Sequence, residues 1–355
     1  MKVSDIVNDD YTFNWELLEK IPEFNALKGC KQSEKWHPEG DAYEHTKLVC
    51  EAFTRNAPYR QILENLKIIG AACVFHDIGK PLCTEFKKDD WHSYEHEIYG
   101  EKIVRDLFYD EDFYVRERLC SLVRYHMVPK FIMKNEHFME EIIKLSNEVT
   151  WRELLFLNQC DKEGSKCCHS EDDDTCLYNN IDGLNCFDNK IKICKPSKHN
   201  NGLHVYMLIG LPGAGKSTWV KKFTDGKYKA ISRDDIRFEL GFCDKDQKVV
   251  LDREKEDLVT KEFNKQIKER LENNNNIIID NINLKKKYRE EIKNYIKSLG
   301  YDPYYEYIYI EAPSLNDNIK RRENQISEEV FHNMIRNFDF PRIGEYDVLR
   351  IKRNE

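Results

Sequence analysis

The chain has 355 residues and a formal net charge of −8 at pH 7, a length that suits two domains of ~150–200 residues, each able to bury a core. The charge argues against broad nonspecific binding to duplex nucleic acid, though not against a local basic groove at Lys285–Arg289 or Lys320–Arg322; each run taken alone reads as a solvated helix face. No run of ~18 apolar residues offers a membrane span and the N-terminus carries no apolar leader segment, so a cytoplasmic protein without membrane contact is expected.

Up to about residue 161 the chain reads as a succession of amphipathic helices, Gln61–Asp77 among them, with no convincing alternating strand. The ionisable residues follow the apolar stripes. His45 shares a face with Leu48, Val49 and Ala52; His126 follows Leu119 and Leu122; Asp161 follows Leu154 and Leu157. His76-Asp77 closes an apolar helix just before Gly79 and Pro81. A charged or ionisable group on a core face costs free energy unless it is paired or bound to metal. One such residue is ordinarily a satisfied core histidine. Several helices each presenting one point instead to a shared ion in the bundle interior. Imidazole and carboxylate donors suit one or two divalent transition-metal ions, and two ions ~3.5–4 Å apart can activate a water and clamp a phosphate.

From Lys162 to about Asn201 the periodicity dissolves into turn-rich polar sequence, read as a linker at about 165–200. With Cys160 just before it, it holds much of the cysteine content: Cys167, Cys168, Cys176, Cys186 and Cys194, with His169. The spacing is irregular and contains no Cys-x-x-Cys pair, which gives structural zinc little support; free thiols are expected.

After His204 the texture changes. Val205–Ile209, Tyr228–Ser232, Ile277–Asp280, Tyr304–Ile310 and Val348–Ile351 are strand candidates, separated by helical patterns at Thr218–Phe223, Lys248–Leu271 and Tyr288–Leu299. Alternation of this kind implies a parallel sheet with helices on both faces. Gly210-Leu211-Pro212-Gly213-Ala214-Gly215-Lys216-Ser217-Thr218 satisfies G-x-x-x-x-G-K-[ST] between a strand and a helix, the setting a P-loop requires. Its backbone N–H groups suit the β-phosphate, Lys216 the β/γ oxygens and Ser217 a Mg²⁺ ion. The next strand candidate ends in Ser232-Arg233-Asp234-Asp235-Ile236-Arg237 at the sheet's carboxyl edge. A carboxylate there can take an acceptor hydroxyl's proton, and an arginine one turn on can fork onto an acceptor phosphate. Asp234 or Asp235 capping the helix is the plainer alternative.

Two resemblances add to this reading. His45, His76-Asp77 and Asp161 resemble the H…HD…D signature of the HD phosphohydrolase superfamily, and His37–His45 and Asn158–Gly164 are similar to HD domains of bacterial tRNA nucleotidyltransferases. The resemblance implies metal ligation by His45, His76, Asp77 and Asp161, with two further histidines in two-metal members; His96 and His126 fit that slot, and His92, four residues before His96 and read on the same helix face, rivals His96. It also implies that Lys80 contacts substrate phosphate, while His37 is read as a supporting residue. The back half resembles the 5′-OH polynucleotide kinase family at Arg233–Arg237, Asp280–Leu284 and Arg321–Val330. That resemblance implies Asp234 as general base, Arg237 on the phosphate 3′ to the acceptor nucleoside, and Arg321 or Arg322, with Arg322 preferred, on the NTP phosphates.

The pairing is the architecture of the HD-Pnk end-healing enzymes. An all-α HD bundle at residues 1–200 and an α/β P-loop polynucleotide kinase at 201–355 are therefore expected. The resemblance implies transfer of the γ-phosphate of ATP or GTP, with Mg²⁺, to 5′-OH polynucleotide ends. It further implies metal-dependent removal of 2′,3′-cyclic phosphate, 3′-phosphate or 2′-phosphate, with broken RNA or DNA ends as substrates and a ligase downstream. The rival readings are an HD nucleotidase fused to a small-molecule kinase, and a nucleotide-gated RNA-binding module with a degenerate HD fold.

Overall fold

Helices carry the first half of the chain and a parallel sheet carries the second. The computed structural model describes residues 1–60, 63, 65–131, 142, 145–166, 202–225, 229–243, 252–322 and 326–353. The chain divides into two units, Met1–Cys194 and Lys195–Glu355.

In the first unit, α1 (Ala42–Asn56) begins where the Asp41 side chain accepts from the Glu44 amide at 3.0 Å. Its buried face includes His45, Val49, Ala52 and Phe53. Helix α2 (Leu66–Phe75) is almost wholly apolar and buried, which makes it the central element of the bundle. Helices α3 (His96–Leu107) and α4 (Phe113–Tyr125) pack together, and α6 (Trp151–Gly164) packs on α1 and α2; a one-turn helix, α5 (Val128–Phe131), follows α4. The α1–α6 approach depends on Gly164, where a Cβ would meet Val49 Cγ2 at 2.6 Å. Phe24, Phe53, Phe75 and Phe108 fill the core. Arg105 is buried beside Glu101 and Glu117, 2.7 and 2.8 Å away.

The helical reading of this half misses one element. Residues Thr84–Lys87 (β1) and Asp90–Ser93 (β2) form an antiparallel hairpin, joined at Lys88 and Asp89 with φ of 52° and 61°. That is the left-handed geometry of a tight hairpin turn, made here without the Asn-Gly or Asp-Gly pair that ordinarily announces it. His92 therefore lies on β2, not on a helix face shared with His96. The expected helix Gln61–Asp77 is observed as Leu66–Phe75, with the described residues Leu63 and Asn65 outside it.

In the second unit, β3 (His204–Ile209) lies between β4 (Ile277–Ile279) and β5 (Tyr304–Glu311), with β6 (Val348–Arg353) beyond β5. All the pairings are parallel. Helices α7 (Lys216–Phe223), α8 (Arg233–Glu239), α9 (Arg253–Glu272), α10 (Lys286–Ser298), α11 (Leu315–Lys320) and α12 (Glu328–Arg336) alternate with the strands. The expected strand at Tyr228–Ser232 reduces to one parallel bridge, Ile231 to Ile279. The helix expected from Lys248 starts at Arg253, where Asp252 caps it. Arg289 is fully buried and binds Glu345 Oε2 together with the carbonyls of Asn283, Leu284 and Asp339.

Residue 228, residues 248–251, and Cys167, Cys168, His169, Cys176, Cys186 and Cys194 of the linker lie outside the described residues. No described helix is long and apolar enough to cross a membrane.

Candidate metal centre and phosphate cradle

The ligand candidates of the first unit arrive from different elements and meet in its interior. His45 comes from α1, His76 and Asp77 follow α2, His96 opens α3, His126 follows α4 and Asp161 comes from α6. His45 Nε2 lies 3.1 Å from Asp161 Oδ1, and His76 Nε2 lies 3.3 Å from Asp77 Oδ2. His96 Nε2 is 3.3 Å from Asp77 Oδ1 and 3.2 Å from His126 Nε2. They fall into two metal-sized groups, His45/His76/Asp161 and Asp77/His96/His126, each with its donor atoms within 4.8 Å of one another. His92 is in neither group; its ring stacks on Tyr94.

The outer ring nitrogens explain why the inner ones are available. Nδ1 of His76, His96 and His126 contacts the carbonyl three residues earlier, on Cys73, Ser93 and Val123, at 2.9, 2.7 and 2.8 Å. Nδ1 of His45 instead contacts Glu39 Oε1 at 2.7 Å, and the same oxygen holds His37 Nδ1 at 2.8 Å. With Nδ1–H donating outward to a carbonyl, Nε2 of His76, His96 and His126 keeps its lone pair for the centre; burial alone would lower the pKa of His45, but its hydrogen bonds to Asp161 and Glu39 raise it. His37, Glu39 and His45 form a third group of metal-sized spacing, which shares His45 with the first.

Charge follows the same plan. Burial and the nearby His96 and His76 imidazoles hold the His126 pKa well below the usual histidine value, so its ring is neutral. Burial alone would raise the pKa of Asp77, but His76 and Lys80 outweigh it and keep the carboxylate ionised. Asp161 is likewise opposed by burial and held low by Lys130 and His45. His76 Nε2 is buried and makes no hydrogen bond among the described residues. An orphaned imidazole nitrogen beside ionised carboxylates is costly as it stands and suits a mid-row divalent cation. Two ammonium groups flank the cluster: Lys80 Nζ is 2.6 Å from Asp77 Oδ2, and Lys130 Nζ is 2.7 Å from Asp161 Oδ2.

Gly79 sets the approach of this loop to α3. A Cβ there would meet the His96 carbonyl oxygen at 2.0 Å and the Gly100 nitrogen at 2.6 Å. The glycine after His76-Asp77 is thus a packing requirement, legible in the sequence only as a helix stop.

In the second unit, Gly210–Thr218 runs from β3 into α7. Gly213 and Gly215 have φ of 79° and 99°, which turn the loop, while a Cβ at Gly210 would meet the Ile310 carbonyl oxygen at 2.3 Å. Lys216 Nζ donates to the carbonyls of Gly210 and Leu211 at 2.9 and 3.0 Å, and burial lowers its pKa to about 8. Ala214 is buried and Thr218 is exposed. Ser217 Oγ lies 2.7 Å from Asp280 Oδ2 at the end of β4. Arg321 Nη1 donates to Gly213 O at 2.9 Å; Arg322 is exposed and close enough to Lys216 to lower its pKa.

Asp234 and Arg237 sit on the first turns of α8. Ser232, not either aspartate, caps that helix by accepting from the Asp235 amide. Arg237 Nη1 lies 2.6 Å from Asp234 Oδ1, whose side chain is 89% exposed, so the carboxylate stays open to an incoming group. Glu256 on α9 holds Arg237 through Oε1 at 2.9 Å and Arg233 through Oε2 at 2.8 Å. Glu256, Lys130 and the bonding role of Glu39 are not anticipated by the sequence reading. The pairing of Ser217 with Asp280 has a trace there, an aspartate closing a buried strand.

Residues 42–162 match the HD domain family and residues 205–341 match the AAA domain family. Among curated relatives, the chain is 36% identical over 92 residues to the Multifunctional CCA protein of Shewanella frigidimarina, covering 26% of this chain and 20% of that protein. It is 43% identical over 88 residues to the protein of the same name from Actinobacillus pleuropneumoniae serotype 5b, covering 24% and 20%. The chain spans about a fifth of the length of these relatives. A chain of the Pnkp1/Rnl/Hen1 RNA repair complex shows a likeness with TM-score 0.32 and 21% identity, covering 39% of this chain and 43% of that one. The chain joins a helical HD domain to a P-loop kinase-like domain built on a four-stranded parallel sheet.

Proposed function

We propose that the chain is a bifunctional nucleic-acid end-healing enzyme of the HD-Pnk type, with the HD part at residues 1–200 and the kinase part at 201–355, working in the cytoplasm. The kinase part transfers the γ-phosphate of ATP or GTP to a 5′-OH polynucleotide end. The HD part hydrolyses a 2′,3′-cyclic phosphate, 3′-phosphate or 2′-phosphate end. A ligase then seals the product.

The observation that carries the nucleic-acid reading is the Asp234–Arg237–Glu256 arrangement, an exposed carboxylate beside a guanidinium steadied from a second helix. An acceptor hydroxyl gives its proton to Asp234, while Arg237 forks onto the neighbouring phosphate of the strand. A free nucleoside has no such phosphate. Lys216 and the loop amides neutralise the donor phosphates, Arg322 adds a cation, and Ser217 with Asp280 holds Mg²⁺.

In the HD part, His45, His76, Asp77, His96, His126 and Asp161 hold one or two divalent ions, and Lys80 meets the substrate phosphate. When bound, such ions supply an activated water and charge for the phosphate oxygens. Labelling a 5′-OH oligonucleotide beside free nucleosides tests the reading. Preferential labelling of the oligonucleotide supports it; labelling of nucleosides alone replaces it with a small-molecule kinase fused to a nucleotidase.

A further inference from the structure

We propose that Lys130 is a second phosphate-binding cation of the HD site, a ligand for the phosphoryl oxygens of the substrate. This rests on the reading of that site as a metal-dependent phosphohydrolase.

Lys130 lies on α5, the turn that follows His126, so one stretch of chain delivers both an imidazole and an ammonium to the centre. Its Nζ is 2.7 Å from Asp161 Oδ2, while Lys80 Nζ is 2.6 Å from Asp77 Oδ2. Each aspartate of the cluster therefore carries one lysine. The two lysines differ in setting. The Lys80 side chain is 9% exposed and also binds Gln32 Oε1, so it is enclosed. The Lys130 side chain is 33% exposed, and among the described residues its ammonium pairs with Asp161 alone.

Three facts favour a ligand role over a purely structural one. Asp161 has a second partner besides Lys130, because its other oxygen meets His45 Nε2 at 3.1 Å. An ammonium offers three donors, and a single carboxylate oxygen uses one. A phosphate entering a site lined by Asp77 and Asp161 meets like charge, which a partly exposed ammonium offsets. A divalent ion held with His45 and His76 faces Asp161 Oδ1, which leaves Lys130 on Oδ2 beside that ion. Nζ on its flexible four-carbon stem then turns to the phosphate. Removing Lys130 therefore separates the two ligands: phosphate binds less tightly, and the metal does not.

The test uses the full chain, with Lys130→Gln and Lys130→Arg beside wild type. Calorimetry measures Mn²⁺ affinity, and inhibition of Mn²⁺-dependent p-nitrophenyl phosphate hydrolysis by inorganic phosphate measures phosphate affinity. The expected result for Lys130→Gln is a phosphate inhibition constant raised about tenfold, the loss of one charge-assisted hydrogen bond. Its Mn²⁺ affinity should be equal to or tighter than wild type, and Lys130→Arg should stay within about threefold of wild type on both measures. An unchanged inhibition constant in Lys130→Gln overturns the proposal. So does weakened Mn²⁺ binding in that variant, which would make Lys130 a support for the cluster. A wild-type chain that neither binds Mn²⁺ nor releases phosphate overturns the phosphohydrolase reading itself, and the proposal with it.

Discussion

Ser217 Oγ lies 2.7 Å from Asp280 Oδ2, linking the first turn of the helix after the P-loop to the carboxyl end of β4. Burial raises the Asp280 pKa, against the Ser217 hydrogen bond and the Lys216 charge. A hydroxyl and a carboxylate so placed form a natural Mg²⁺ seat. Asp280→Asn should cut 5′-phosphorylation on the order of 100-fold and raise the Mg²⁺ concentration for half-maximal rate. An unchanged Mg²⁺ titration would remove Asp280 from that role.

Glu256 holds Arg233 and Arg237 with its two oxygens. Glu256→Gln should free Arg237 without touching the phosphate loop. The expected signature is a KM for the 5′-OH oligonucleotide raised roughly 5- to 20-fold, with the KM for NTP unchanged. Steady-state kinetics with each substrate varied in turn checks the split.

Glu117 is buried beside Arg105 and Arg116; burial alone would raise its pKa, but the guanidinium groups lower it from 4.5 to about 2. A folded value below the unfolded one contributes stability that is complete above pH 4.5 and lost as pH falls toward 2. The contribution is on the order of 3 kcal/mol. Urea unfolding between pH 5 and pH 2 should steepen accordingly. Glu117→Gln should be destabilised at neutral pH and show a flatter acid limb.

Gly79 faces the His96 carbonyl so closely that a Cβ would sit 2.0 Å from it. Gly79→Ala must push the His76-Asp77 loop away from α3. A loss of roughly 2 kcal/mol or more is expected, together with weaker Mn²⁺ binding. Thermal melts with and without Mn²⁺ should show a lower midpoint and a smaller metal-induced rise.

The sequence exposes those parts of the molecule that periodicity and short-range geometry control. His45, His126 and Asp161 fall on apolar faces, and helix packing then has to bring them together. The P-loop is legible because its conformation demands glycines at fixed offsets. The β1–β2 hairpin is not, because Lys88 and Asp89 adopt left-handed backbone without glycine or asparagine. That miss also put His92 on the wrong kind of element. Lys130 and Glu256 escape a sequence reading for another reason: each is a charge on a helix, and only the tertiary fold aims it at Asp161 or at Arg237. Strand Tyr228–Ser232 shrinks to Ile231 because that residue alone pairs with β4 among those described.

The most direct test of the two-site account follows one RNA carrying a 5′-OH and a 2′,3′-cyclic phosphate end through wild type, Lys216→Ala and Asp77→Ala, with NTP, Mg²⁺ and Mn²⁺ present. Gel analysis reads both ends of the same strand. The account requires that Lys216→Ala lose 5′-phosphorylation and keep 3′-end processing, and that Asp77→Ala do the reverse. Loss of both activities in both folded variants would contradict it.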